Sequence, residues 1–216
     1  MKSLRLVALL LVGFFAANAH AAGDAAAGKA KSAVCAACHN ADGNSTLTDY
    51  PKIAGQGAPY LVKQMKDYKS GAREDAIMAG MVAALSEQDM EDLAAYFSSQ
   101  KIQRGAADPE LAEAGERLFR GGNIETGVPA CTGCHGPAGD GVAAAKFPAL
   151  AGQHAEYIER ELKAFRAAGR DDLDAERYRK NDTDDEDALG MMQATAAKMT
   201  DREIRAVASY ISGLSK

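Results

Sequence analysis

The chain has 216 residues, with 25 Lys and Arg against 30 Asp and Glu, for a formal net charge of −5 with histidine neutral. That balance argues against nucleic acid as a partner, because a phosphate backbone selects clustered cations. The length allows one domain or two small ones, and the placement of the four cysteines favours two.

The chain opens with Lys2 and Arg5, an apolar run over 6–17, and small residues at Ala19 and Ala21 before polar sequence begins. This is the pattern of a secretory signal peptide. The run is shorter than the roughly 18 apolar residues that a membrane-spanning helix needs. Cleavage is expected after Ala21. Loss of Lys2 and Arg5 leaves 23 basic against 30 acidic residues, a balance of −7.

A helix over 25–33 leads into Cys35-Ala36-Ala37-Cys38-His39, followed by Tyr50-Pro51-Lys52-Ile53-Ala54-Gly55-Gln56. Beyond it Tyr60, Leu61, Gln64, Met65 and Tyr68 fall on one helical face. Ser86 with Asp89 resembles an N-terminal cap, and Leu93, Ala94, Tyr96 and Phe97 give the next helix an apolar face. Gln103-Arg104-Gly105-Ala106-Ala107 then breaks the pattern. Asp108 and Pro109 supply the cap and first residue of a helix over 110–119.

Cys131-Thr132-Gly133-Cys134-His135 and Phe147-Pro148-Ala149-Leu150-Ala151-Gly152-Gln153 follow, and Tyr157, Ile158, Glu161, Leu162 and Phe165 form another helical face. The stretch 170–187 holds Asp171, Asp172, Asp174, Asp184, Asp185, Glu186 and Asp187 and is expected to be a solvated loop. Residues 108–216 carry 14 basic against 20 acidic side chains and residues 22–107 carry 9 against 10, so the charge is lopsided. Thr200 and Glu203 form a capping box ahead of Val207, Ala208, Tyr210 and Ile211. Strand patterns are nearly absent, so the expected class is all-α. The expected division is a leader over 1–21 and two units over 22–107 and 108–216.

All four cysteines fall in C-x-x-C pairs, each followed by histidine. Disulfides within such pairs close loops too short to staple a fold. A thioredoxin-like pair belongs in a βαβ context that is missing. A zinc site would leave both histidines unexplained. Covalent haem uses every residue. Cys35 and Cys38, and likewise Cys131 and Cys134, form thioethers to one haem c each, and His39 and His135 become the proximal iron ligands.

The halves are an internal repeat, which helps to identify the second axial ligand. Met78 lies seven residues before Leu85, and Met192 lies seven before Met199. No other methionines coincide in this way, so Met78 and Met192 are the expected ligands. Met65, Met81, Met90, Met191 and Met199 are expected to be packing residues. His154, whose counterpart is Gly57, is expected to be a solvated or capping residue.

The two C-x-x-C-H motifs, the paired methionines and the twin Pro-x-x-x-Gly-Gln blocks resemble the cytochrome c4 family. So do Gly23-Asp24-Ala25-Ala26-Ala27-Gly28, Leu93-Ala94-Ala95-Tyr96-Phe97-Ser98-Ser99-Gln100-Lys101 and Leu118-Phe119-Arg120-Gly121-Gly122. The resemblance covers the whole chain after the leader. It implies two tandem class I cytochrome c domains related by a pseudo-twofold axis, with haem propionate edges facing each other. It also implies that the carbonyls of Pro51 and Pro148 hold the imidazoles of His39 and His135.

The expected function is therefore periplasmic electron relay rather than enzymatic chemistry. A respiratory donor reduces the protein, and a membrane-bound terminal oxidase, of the cbb3 type by resemblance, is the acceptor. Loose association with the membrane surface is not encoded in the spacing. The alternatives are a dihaem enzyme, such as a peroxidase or thiosulfate dehydrogenase, or the cytochrome subunit of a dehydrogenase complex. The symmetry of Met78 and Met192 speaks against an enzyme, since it leaves no specialised iron.

Overall fold

The computed structural model describes residues 23–172, 174–183, 185 and 188–214. The leader expected over 1–21 lies outside the described residues, as do Asp184, Glu186 and Asp187 of the acidic stretch. The first half runs through α1 (Ala25–Lys31), α2 (Ala36–His39), α3 (Ala58–Ser70), α4 (Ala76–Val82) and α5 (Glu87–Ser98). The second repeats the order as α6 (Pro109–Gly121), α7 (Thr132–His135), α8 (Ala155–Arg170), α9 (Met191–Ala196) and α10 (Asp201–Gly213). Among the described residues β pairing is confined to the isolated bridges Asn123–Val128 and Val142–Phe147. The chain is all-α.

Capping chemistry sets the helix starts. The Asp24 carboxylate accepts from the N–H groups of Ala26 and Ala27, and Asp108 accepts from that of Glu110, with Pro109 in the first helical position. Both final helices begin with reciprocal capping boxes, Ser86 with Asp89 and Thr200 with Glu203. The first helix is shorter than expected. It closes at Lys31 and tightens into a 3₁₀ turn over Ser32–Val34 that delivers the chain to Cys35.

In each half the first helix crosses the last, α1 on α5 and α6 on α10. Both crossings are made by a glycine. A Cβ on Gly28 would lie 2.0 Å from the carbonyl oxygen of Asp92, and one on Gly115 would lie 2.2 Å from that of Ala206. Asp92 precedes Leu93 as Ala206 precedes Val207, so one backbone contact has been built twice.

Each half has its own core. Leu61, Leu93, Ala94, Tyr96 and Phe97 form the first, and Leu118, Phe119, Ile158, Leu162, Ile204, Val207 and Ile211 belong to the larger second. For units this small a chain's own apolar burial is marginal, so a large buried group adds a substantial share of the core. Met90 and Met199 are buried and Met65 packs on the first core, as expected. Met81 and Met191 are not packing residues, at 41% and 57% exposed. They sit on short helices that rest against α3 and α8, and their side chains face a cavity rather than either core.

Candidate functional site

The two cysteine motifs adopt one shape. The N–H of His39 donates to the carbonyl of Cys35 at 3.0 Å, and that of His135 to the carbonyl of Cys131 at 2.9 Å. One helical turn thus brings two thiols and an imidazole together. Burial pushes the Cys35 thiol up and the Cys131 thiol to about 11. A redox-active C-x-x-C pair needs the opposite shift, toward thiolate. Among the described residues no group of three or more His, Cys, Asp or Glu side chains is arranged to hold a metal ion.

Each imidazole is held by a proline carbonyl. Nδ1 of His39 donates to the oxygen of Pro51 at 2.8 Å, and Nδ1 of His135 to that of Pro148 at 2.9 Å. This leaves Nε2 as the nitrogen able to meet iron, and the carbonyl raises its basicity. Burial lowers the pKa of both histidines, favouring the neutral form that a ligand requires. Tyr50 and Phe147, at equivalent repeat positions, stand 6.4 Å centroid to centroid from the two rings.

Both motifs open on one continuous cavity of about 1160 Å³, lined also by Met78 and Met192 and by their neighbours Met81 and Met191. The helices bearing these methionines are both capped by an aspartate, in different ways. Asp75, at the start of α4, accepts from the N–H of Met78 at 3.0 Å. Gly190, at the start of α9, has no side chain to offer, and Asp182 reaches in from the preceding loop to accept from the N–H of Met192 at 2.6 Å. His154 does not line the cavity. It stands at the N-cap position of α8, as the capping alternative expected, and its half-buried ring donates from Nε2 to the carbonyl of Ser45 in the other half at 2.8 Å.

Between the halves, equivalent residues exchange contacts. Gln56 donates to the carbonyl of Ala149 and accepts from its N–H, while Gln153 does the same to Lys52, at 2.8 to 2.9 Å throughout. Lys52 also donates its ammonium to the carbonyls of Gln103 and Gly152. Arg73 bonds Tyr157 and Glu161 of the second half, and Arg179 bonds Tyr60 and Gln64 of the first. Each guanidinium lies over an aromatic ring of its own half, Arg73 over Tyr68 and Arg179 over Phe165. Tyr60 and Tyr157, Gln64 and Glu161, and Tyr68 and Phe165 are all repeat partners.

Burial disfavours every charge in this cluster, but mutual attraction prevails. The guanidinium groups of Arg179 and Arg73 hold the Glu161 carboxyl below its ordinary range. In return the Glu161 carboxylate helps to keep both arginines protonated. Two cations share one carboxylate, so the cluster has a surplus positive charge at the cavity wall. The carboxylates of a haem suit that surplus, and the cavity, thiols and neutral imidazoles suit its ring and iron.

The stretch 170–187 is therefore more than a solvated loop. Arg179 and Asn181 are buried, and Asn181 donates to Gln64 and Asp67 on α3 while its carbonyl accepts from Lys63. The sequence signal for these residues was weak, because their partners lie more than a hundred positions away. The twin Gly-Gln pairs were visible in the repeat, yet their contacts were not.

The family model described as Cytochrome c matches residues 25–101 and again 112–215. Cytochrome c4 of Pseudomonas aeruginosa is 53% identical over 209 residues, covering 97% of this chain and 98% of that one. The crystal structure of reduced recombinant cytochrome c4 from Pseudomonas stutzeri is 49% identical and superposes with a TM-score of 0.80, covering 90% of this chain and 100% of that one. At lower identity, 37% over 220 residues, stands the thiosulfate dehydrogenase electron acceptor of Thiomonas intermedia, with 98% of this chain and 91% of that one covered. Two such domains in tandem mean two covalently bound haem c groups.

Proposed function

Because the chain belongs to the cytochrome c4 family, whose dihaem members transfer electrons, we propose that it relays single electrons in the periplasm from a respiratory donor to a membrane-bound terminal oxidase of the cbb3 type. In this reading the leader is 1–21 and the haem domains are 22–107 and 108–216. Cys35, Cys38, Cys131 and Cys134 form the thioethers. His39 with Met78 and His135 with Met192 are the axial ligands.

When bound, haem iron supplies reversible one-electron exchange, and methionine opposite histidine raises its potential. The chain's part is to keep each imidazole neutral and oriented through Pro51 or Pro148, and to hold each methionine helix through Asp75 or Asp182. The observation that carries the proposal is the equivalence of the two sites, each with the same carbonyl, the same turn and an aspartate-capped methionine helix. An enzyme of the peroxidase type needs one iron unlike the other. The related thiosulfate dehydrogenase electron acceptor makes a thiosulfate-oxidising enzyme one donor worth testing, with this chain as its acceptor.

The test is stopped-flow mixing of the fully reduced holoprotein with vesicles containing a cbb3 oxidase. Both haems are expected to be oxidised with oxygen consumption, while the protein alone neither reduces peroxide nor oxidises thiosulfate. Peroxide turnover, or a high-spin ferric signal from one haem, would overturn the relay.

A further inference from the structure

We propose that Gln56 and Gln153 are positioning residues that tune each haem's proximal imidazole from the opposite half of the molecule. The proposal rests on the reading that His39 and His135 ligate iron, and it concerns the peptide groups that join Pro51 to Lys52 and Pro148 to Ala149. The carbonyl of the Pro51–Lys52 peptide accepts from Nδ1 of His39 at 2.8 Å. The N–H of that same peptide donates to Oε1 of Gln153 at 2.8 Å. In the second half the carbonyl of the Pro148–Ala149 peptide accepts from Nδ1 of His135 at 2.9 Å, and its N–H donates to Oε1 of Gln56 at 2.8 Å. One amide therefore stands between each imidazole and a glutamine that belongs to the other domain.

The orientation of both side-chain amides is settled by their neighbours. Oε1 of Gln56 also accepts from the N–H of Gly57, and Oε1 of Gln153 from that of His154, so each oxygen faces two donors. Each Nε2 meets a carbonyl, that of Ala149 or of Lys52. A flipped amide would set donors against donors. Both glutamines are buried, at 7% and 5% exposed, where hydrogen bonds are strong and polarise one another along a chain.

The sign of the effect follows. An acceptor on a peptide N–H makes the carbonyl of that peptide a better acceptor. A better acceptor draws the Nδ1 proton of the imidazole and raises its basicity toward iron. A more basic ligand favours the ferric state and lowers the potential. Removing a glutamine should therefore raise the potential of the haem in the opposite half. Simple interface adhesion predicts no such crossing.

The experiment uses the dihaem holoprotein with Gln153→Leu and Gln56→Leu, titrated electrochemically while the two axial-methionine methyl signals are followed by proton NMR. Those signals report each haem separately. Gln153→Leu is expected to shift the reduction equilibrium of the His39 haem about threefold toward the ferrous state, ~30 mV at ~59 mV per tenfold, and to move the His135 haem less. Gln56→Leu should do the reverse. Gln153→Glu keeps the acceptor and the shape, so it should restore or lower the potential of the His39 haem and serves if the leucine variants fold poorly. Equal shifts at both haems, a larger shift in the glutamine's own half than in the opposite one, or a raised potential in Gln153→Glu would each overturn the proposal. Failure of the ligation reading itself would look different, because the unsubstituted protein would then lack low-spin histidine–methionine spectra.

Discussion

The backbone N–H of Met192 donates to a carboxylate oxygen of Asp182 at 2.6 Å, across ten positions of chain. Asp182 also accepts from the N–H and the side-chain amide of Gln193. It stands in for the cap that Gly190 cannot provide. Asp182→Ala is expected to cost about 1 kcal/mol, the usual worth of an N-cap, concentrated in the Met192 segment. The sulfur-to-iron band at the red end of the ferric spectrum should lose its C-terminal half at a lower temperature than in the unsubstituted protein. The half from Met78 should be unaffected.

The same band tests the axial ligands directly. Replacing Met78 or Met192 with alanine is expected to remove about half of its intensity in each case, because in the proposed ligation each sulfur serves one iron. Replacing Met81 or Met191, whose repeat counterparts are Thr195 and Ile77, should leave the band intact. Optical spectra of the four single variants decide the matter.

Glu161 is the shared anion of two buried guanidinium groups, with contacts of 2.7 Å to Arg73 and 2.6 Å to Arg179. Glu161→Gln strands both, and breaking a buried pair costs about 3–5 kcal/mol. Arg179→Met should cost less, because Arg73 then keeps the carboxylate to itself. The midpoints of guanidinium chloride unfolding, compared at unchanged slope, measure both.

Acid should weaken the α1–α5 contact. The Lys31 ammonium, followed by the N–H of Asp24 and the Gln88 amide, holds the Asp92 carboxyl down at about 2, from an ordinary 3.8. A depressed carboxyl adds stability that is complete above its unfolded pKa and fades as the pH falls through the folded one. The contribution is therefore present above about pH 4 and lost on the way down to pH 2. Asp92→Asn is expected to remove this slope, leaving the stability of the first half flatter over that window in circular dichroism titrations.

Much of this architecture was legible in local sequence. Asp108 with Pro109 and Thr200 with Glu203 act within four residues, so their chemistry is written where it is used. The cysteine turns are equally local. The interface was not legible, for a physical reason. Arg73 meets Glu161 across 88 positions and Arg179 meets Tyr60 across 119, and no period or spacing encodes such encounters. The acidic stretch misled because its many aspartates masked the buried Arg179 and Asn181 between them. The repeat was the one long-range signal, since a residue required twice in the same place is visible without its partner.

Glutamine for glutamine and tyrosine for tyrosine, the halves trade contacts as two copies of one chain do about a twofold axis. Such an assembly built from separate chains would come apart on dilution. Joined in one polypeptide, the partners meet at an effective concentration set by the tether, on the order of millimolar for a short flexible one. The two iron sites thus stay neighbours however sparse the protein becomes, with the peptide chain rather than mass action as the guarantor of their spacing.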